Sequence, residues 1–127
     1  MTARILIVDD QPDIRKLISL TLQHLEDAEL HEADNGGDGW RMAKDLKPDL
    51  MLLDVMMPGE LDGYQVCTKI KQDPELAAHT KVILLTARAQ QEDLDAGARA
   101  GSDAYLTKAF SPLKLLDTVD EMLGRME

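Results

Sequence analysis

Four short runs of mostly branched apolar residues, 5–8, 50–53, 82–85 and 104–106, break off at polar residues: Asp9, Asp54, Thr86, and Thr107 with Lys108. Runs of this length suit strands, and their near-continuous apolarity suits strands covered on both faces. A fifth candidate, residues 29–32, reads Glu-Leu-His-Glu, and its polarity marks an edge strand. Longer segments of helical period separate the runs. Ile14, Leu17, Ile18, Thr21, Leu22 and Leu25 recur at steps of three and four after Pro12, a residue suited to a first helical turn. Farther on, Ser111 is placed to cap a helix with Pro112 at its first position, followed by Leu113, Leu116, Val119, Leu123 and Met126.

Five strand–helix repeats imply a parallel sheet with right-handed crossovers. The expected fold is α/β: a flavodoxin-like, doubly wound sheet of five parallel strands in order 2-1-3-4-5, with helices on both faces. Residues 90–100 stand apart. Their only large apolar residue is Leu94, and Gly97 sits among them, so this helix buries little and belongs with the least stable parts of the domain. Elements of that kind are candidates for movement; the same thin packing also suits a surface helix without a role.

Composition narrows what the domain can meet. Its 127 residues and 44% apolar content fit one domain, expected to span 1–127, with a core of ordinary size. Against 14 Lys and Arg stand 24 Asp and Glu, a net charge of −10 that argues against direct nucleic-acid binding, which needs a basic patch. No apolar run approaches the roughly 18 residues of a membrane span, and residues 5–8 are too few for the apolar region of a signal peptide. The single cysteine, Cys67, cannot form an internal disulfide, and a cytoplasmic location is the simplest expectation.

The polar residues that end the runs carry the chemistry. In an open parallel sheet, ligands bind beyond the carboxyl ends of the strands at the topological switch point, here between the first and third strands. Asp9, Asp10 and Asp54 converge there, with Thr86 and Lys108 arriving along the same edge. Three carboxylates in one cleft repel one another unless some are protonated or a cation compensates them. Oxygen ligands without His or Cys point to Mg²⁺. Beside a metal and Lys108, one carboxylate can attack a phosphoryl group, with Thr86 and Lys108 helping to neutralise charge. Taken singly, each Asp reads more readily as a turn or cap residue, Lys108 as a solvated side chain and Thr86 as an N-cap. Their joint occurrence on four strand ends is what turn formation does not explain.

These residues resemble a response-regulator receiver domain of two-component signalling. The matching segments are 5–10 (Ile-Leu-Ile-Val-Asp-Asp), 53–58 (Leu-Asp-Val-Met-Met-Pro) with Asp62 and Gly63 beyond, 85–87 (Leu-Thr-Ala), and Gly97-Ala98 leading to residues 103–108 (Asp-Ala-Tyr-Leu-Thr-Lys). The resemblance implies that Asp54 accepts a phosphoryl group from a phosphohistidine on a sensor histidine kinase or a histidine phosphotransfer protein. It also implies Asp10, Asp54 and the Met56 carbonyl as direct Mg²⁺ ligands, with Asp9 acting through water. Lys108 would pair with the phosphoryl oxygens, Thr86 would move in to bond one of them, and Tyr105 would swing inward behind it. The surface so altered is made by the helix at 90–100, the fifth strand and the last helix. Ala87 would leave the phosphoryl group room, while Met56 and Arg88 would tune access of water. The implied role is that of a switch, not an enzyme beyond its own phosphorylation and dephosphorylation. Its targets would be a downstream protein or a fused output domain, with phosphorylation-dependent pairing of two copies left open.

Two departures from the family pattern bear on the site. Three residues, Gly59, Glu60 and Leu61, separate Pro58 from Asp62 where two are common, so the turn is expected to bulge near the metal site. Ala109 follows Lys108 where the family has proline, often after a cis bond. A cis bond before a non-proline residue costs about 2.5–4 kcal/mol, against about 0.5–1 before proline. The expectation is either a strained cis Lys108–Ala109 bond or a trans bond with Lys108 re-aimed.

Other signals stay weak. Residues 36–39 (Gly-Gly-Asp-Gly) lack the spacing of a dinucleotide or P-loop motif and read as a helix-entry turn. His24, His31 and His79 have no metal-ligand spacing and are expected to face solvent, whereas Trp40 and Cys67 are read as packing residues. A competing class, the haloacid-dehalogenase-like Mg²⁺ phosphatases, requires a second Asp two residues after the nucleophile, where this chain has Met56. The other alternative is a pseudo-receiver that is never phosphorylated and acts as an interaction module.

Overall fold

The computed structural model describes residues 2–25, 27–87, 90–108 and 110–124, which form five strands and six helices. In chain order these are β1 (Ala3–Val8), α1 (Pro12–Leu22), β2 (Ala28–Ala33), α2 (Gly36–Leu46), β3 (Leu50–Asp54), α3 (Gly63–Gln72), α4 (Pro74–Ala77), β4 (Lys81–Thr86), α5 (Gln91–Ala100), β5 (Ala104–Thr107) and α6 (Pro112–Leu123). All pairings are parallel and the strand order is β2-β1-β3-β4-β5, as expected.

The apolar runs are continuous because the central strands are buried on both faces. Ile5, Ile7, Leu50, Leu52, Ile83 and Leu85 point one way, into a layer with Ile18 and Leu22 of α1 and Leu115 and Val119 of α6. Leu6, Val8, Met51, Leu53, Val82 and Leu84 point the other way, into a layer with Val66, Cys67 and Ile70 of α3 and Ala100 of α5. A period of two on the strands and 3.6 on the helices therefore sorts the same residue types into two half-cores. β2 lies at the sheet edge, where only Ala33 is buried, which explains its polar sequence.

Helix starts follow local chemistry. Asn35 caps α2 by accepting from the Asp38 N–H, which makes the glycine-rich stretch a helix entry. Asp62 and Gln65 form a capping box on α3, and Ser111 caps α6 ahead of Pro112. α4 has no counterpart among the elements expected from the apolar periodicity, although its signal is present. Asp73 accepts from the N–H groups of Glu75 and Leu76, with Pro74 at the first position. The first helix closes at Leu22, earlier than Leu25 suggested, while Leu25 still packs against the α1–α6 layer. Met126 lies outside the described residues.

Trp40 and Cys67 pack as expected, Cys67 fully buried with its Sγ 3.4 Å from the Ala100 carbonyl. The histidine expectation needs one correction. His24 and His79 are exposed, but His31 is half-buried on β2, its Nε2 covered and 3.5 Å from Glu29. No helix among the described residues is long and apolar enough to cross a membrane.

Candidate functional site

The site arises where neighbouring strands send their helices to opposite faces. Val8 pairs with Leu53, so Asp9 and Asp54 end their strands side by side. From there α1 turns onto the layer of Ile18 and Leu22, and α3 onto that of Val66 and Ile70. The crevice between them is the switch point of the sheet. Both acids are buried: Asp9 is 0% exposed and Asp54 1%. One oxygen of each is held by a nearby backbone amide. Gln11 N–H donates to Asp9 Oδ1 at 2.9 Å, and Met56 N–H donates to Asp54 Oδ1 at 3.2 Å. The other oxygens, Asp9 Oδ2 and Asp54 Oδ2, are buried with no hydrogen bond of good geometry.

Lys108 supplies the counter-charge. Thr86 pairs with Thr107 in the sheet, and the Lys108 N–H extends this ladder by donating to the Thr86 carbonyl at 2.6 Å. The ammonium then lies 3.1 Å from Asp9 Oδ2 and 3.2 Å from Asp54 Oδ2. Burial first, and then the charge of Asp9, pushes the Asp54 carboxyl up to about 6, against the opposing pull of Lys108 and the Met56 amide.

Asp10 is half-buried beside this pair, and Asp9, Asp10 and Asp54 each present an oxygen within 4.8 Å of the others. Three carboxylates against one ammonium leave two negative charges over, in a place that water reaches poorly. Two of the buried oxygens also lack a hydrogen bond. A hard dication answers both deficits, and an oxygen-only donor set suits Mg²⁺ better than a softer metal.

The Met56 side chain is 75% exposed, while its backbone is tied to Asp54. Thr86 ends β4, 3% exposed. Tyr105 is half-buried on β5 and faces the α3–α5 layer, where Tyr64 neighbours it and donates to the Asp93 carbonyl of α5 at 3.4 Å. Arg88 and Ala109 lie outside the described residues, and with them the isomer of the Lys108–Ala109 bond; the Lys108 ammonium itself is directed into the site. The extra residue of the three between Pro58 and Asp62 is accommodated at the surface. Pro58, Gly59 and Glu60 are exposed, and Gly59 takes a φ of +101°, a conformation glycine adopts readily. The loop returns when Gly63 N–H donates to the Val55 carbonyl at 3.1 Å. At that point a Cβ on residue 63 would stand 2.1 Å from the Asp54 carbonyl oxygen, so only glycine fits.

One site residue was not foreseen. Gln11 accepts from the Lys108 ammonium through Oε1 at 2.6 Å. Its only sequence signal was adjacency to Asp10, since nothing local indicates a bond to a residue 97 positions away.

Comparison with known proteins agrees with this geometry. A family model described as the response regulator receiver domain matches residues 5–120. The chain is 37% identical over all of its 127 residues to the transcriptional regulatory protein SrrA of Staphylococcus aureus, covering 50% of that protein. It thus spans about half the length of the curated relatives it matches. Among solved structures, a putative response regulator from Chloroflexus aurantiacus J-10-fl superposes with a TM-score of 0.89 at 30% identity, over 98% of this chain and 100% of the other. The chemotaxis protein CheY4 of Vibrio cholerae gives 0.88 at 28%, over 97% and 100%. The receiver domain of a signal transduction histidine kinase from Syntrophus aciditrophicus gives 0.88 at 30%, over 99% and 93%.

Proposed function

The chain belongs to the response regulator receiver domain family, and from that premise we propose that it takes a phosphoryl group onto Asp54 from a phosphohistidine of a sensor kinase or phosphotransfer protein. The observation that carries this reading is the state of the Asp54 carboxylate: buried, with Oδ2 free of hydrogen bonds and paired in charge with Lys108. In the transfer, an Asp54 oxygen attacks phosphorus, a P–O bond forms as the P–N bond breaks, and the electron pair returns to the imidazole. Asp10, Asp54 and the Met56 carbonyl would hold Mg²⁺, with Asp9 acting through water. When bound, Mg²⁺ neutralises the charge of the phosphoryl oxygens and of the carboxylates around them. Lys108 contributes a second positive charge, already next to Asp54, and the Thr86 hydroxyl bonds a phosphoryl oxygen by moving inward. Tyr105 follows into the space so vacated and changes the surface shared by α5, β5 and α6.

In this reading the protein is a signalling switch in the cytoplasm, whose output passes to a partner protein or to an attached module. The longer relative named as a transcriptional regulator supports an output of that kind. Direct nucleic-acid contact by these residues is disfavoured by the charge of −10.

Incubation with Mg²⁺ and acetyl phosphate, followed by intact-mass measurement, tests the proposal. The expected result is one phosphoryl adduct that requires Mg²⁺ and disappears in Asp54→Ala. An adduct that survives Asp54→Ala, or none from either the small donor or a histidine phosphodonor, rejects it.

A further inference from the structure

Gln11 occupies the N-cap of α1, where Ser, Thr, Asp or Asn would usually turn a side-chain oxygen back to the open amides of the first turn. Its side chain makes no such bond. Instead Oε1 crosses the crevice to the Lys108 ammonium at 2.6 Å, closer than either carboxylate oxygen at 3.1 and 3.2 Å. Its backbone N–H meanwhile donates to Asp9 Oδ1 at 2.9 Å. One residue thus holds both members of the Asp9–Lys108 pair.

A lysine ammonium is a compact charge on a flexible stem, and charge alone gives it little direction. Asp9 Oδ2 and Asp54 Oδ2 attract it without hydrogen bonds of good geometry. Gln11 supplies the missing direction, and being neutral it adds no fourth carboxylate to the cluster. The Gln11 side chain reaches the crevice from an exposed position, and its backbone is restricted. The following Pro12 disfavours helical backbone at residue 11, which is extended at φ −93° and ψ 111°. On the other side, Lys108 is followed in sequence by Ala109, which has no ring to restrict the backbone before it.

We propose that Gln11 is a positioning residue whose side-chain carbonyl aims the Lys108 ammonium at the Asp9–Asp54 edge, so that the charge is in place before a phosphoryl group arrives. Its kinetic consequence rests on the assignment of Asp54 as phosphoacceptor; the aim of Lys108 can be measured without that assignment.

The test compares the full chain with Gln11→Ala and Gln11→Glu, the second of which keeps an acceptor oxygen. In the metal-free protein, the ¹H–¹⁵N signal of the Lys108 ammonium should be observable in the wild type and Gln11→Glu, and lost to solvent exchange in Gln11→Ala. With Mg²⁺ and acetyl phosphate, Gln11→Ala should lower the maximal phosphorylation rate about fivefold to tenfold, with the half-saturating donor concentration unchanged. Gln11→Glu, which restores the acceptor but adds a fourth carboxylate, should give a rate between those of Gln11→Ala and the wild type. An unchanged Lys108 signal in Gln11→Ala overturns the proposal, and so does a loss of thermal stability with an unchanged maximal rate, which would make Gln11 only a helix-start residue. Should the wild type take up no phosphoryl group from acetyl phosphate or from a histidine phosphodonor, the Asp54 assignment fails, and the Lys108 signal alone then supports or overturns the tether.

Discussion

The carboxyl end of β3 and the helix α5 border the same half-core, yet they are built to opposite rules. At the end of β3, Asp54 and Val55 are buried, and Asp62 with Gln65 forms a capping box that starts α3. Gly63 there leaves no room for even a methyl group beside the Asp54 backbone. α5 has none of this. Its N-cap, Gln90, makes no side-chain capping bond, only Gly97 and Ala100 are buried, and Leu94 is 39% exposed. Placing like charges together requires a framework that cannot relax away from them, whereas an element that responds to the site gains from shallow packing. The two regions touch where Tyr64, in the first turn of α3, donates to the Asp93 carbonyl of α5 at 3.4 Å, so the firm one is in contact with the soft one.

The contrast can be broken most sharply with Gly63→Ala. Because the new Cβ would meet backbone and not a side-chain tip, something in the Asp54 loop must move. A loss of about 4 kcal/mol or more in urea unfolding is expected, or failure to fold. A loss below about 1 kcal/mol would show that this loop yields easily and that the contrast is mistaken.

A smaller effect of opposite sign is expected from Asp54→Asn. The folded protein raises the Asp54 carboxyl from 3.8 to about 6, so between those values the folded state binds more protons than the unfolded chain. Stability therefore falls as pH rises through that window and stays lower at pH 7. Removing the charge should stabilise the metal-free protein at neutral pH by on the order of 2 kcal/mol, with the gain vanishing near pH 4. Melting temperatures of the two proteins across pH 4–7.5 check the sign, and equal slopes would refute it. Mg²⁺ should raise the melting temperature of the wild type more than that of the variant.

Much of this division was legible before any coordinates. The apolar runs dictated a sheet buried on both faces, and the polar residues ending them marked the crevice, because period and chain order are properties of sequence. The thin packing of α5 was visible from Leu94 and Gly97. Less local facts were hidden. α4 is a single turn whose Asp73-Pro74 signal is too short to separate from a loop. The half-burial of His31 depends on its neighbour Glu29 and on what covers the edge strand. The bond from Gln11 to Lys108 depends on strand order, which brings residue 108 across the sheet toward residue 11.

Leu94→Ala addresses the soft side. A fully buried leucine truncated to alanine costs about 2–5 kcal/mol, but Leu94 is 39% exposed and alanine is the stronger helix former. The expected loss is under about 1 kcal/mol, read from the chemical denaturation midpoint. A cost within the buried-leucine range would mean that α5 is anchored as firmly as the strands.

Gly97→Ala should have the smallest effect on stability and is the most direct probe of the join between the regions. A Cβ here would lie 3.3 Å from Leu84 Cδ1 and 3.4 Å from both Ser102 Oγ and Tyr105 Cδ2. These are side-chain atoms, able to give by a few tenths of an ångström. Against that crowding stands the helix preference of alanine over glycine, about 1 kcal/mol. The two nearly cancel, so a net change within about 0.5 kcal/mol is expected, in contrast to the same substitution at Gly63. The methyl group nevertheless fills space next to the Tyr105 ring. If Tyr105 moves on phosphorylation, the variant should accept the phosphoryl group at Asp54 as well as the wild type does, yet show a smaller phosphorylation-dependent change in amide exchange across α5. Equal changes in both proteins would separate Tyr105 from the response of α5 and leave Thr86 as the remaining route between site and surface.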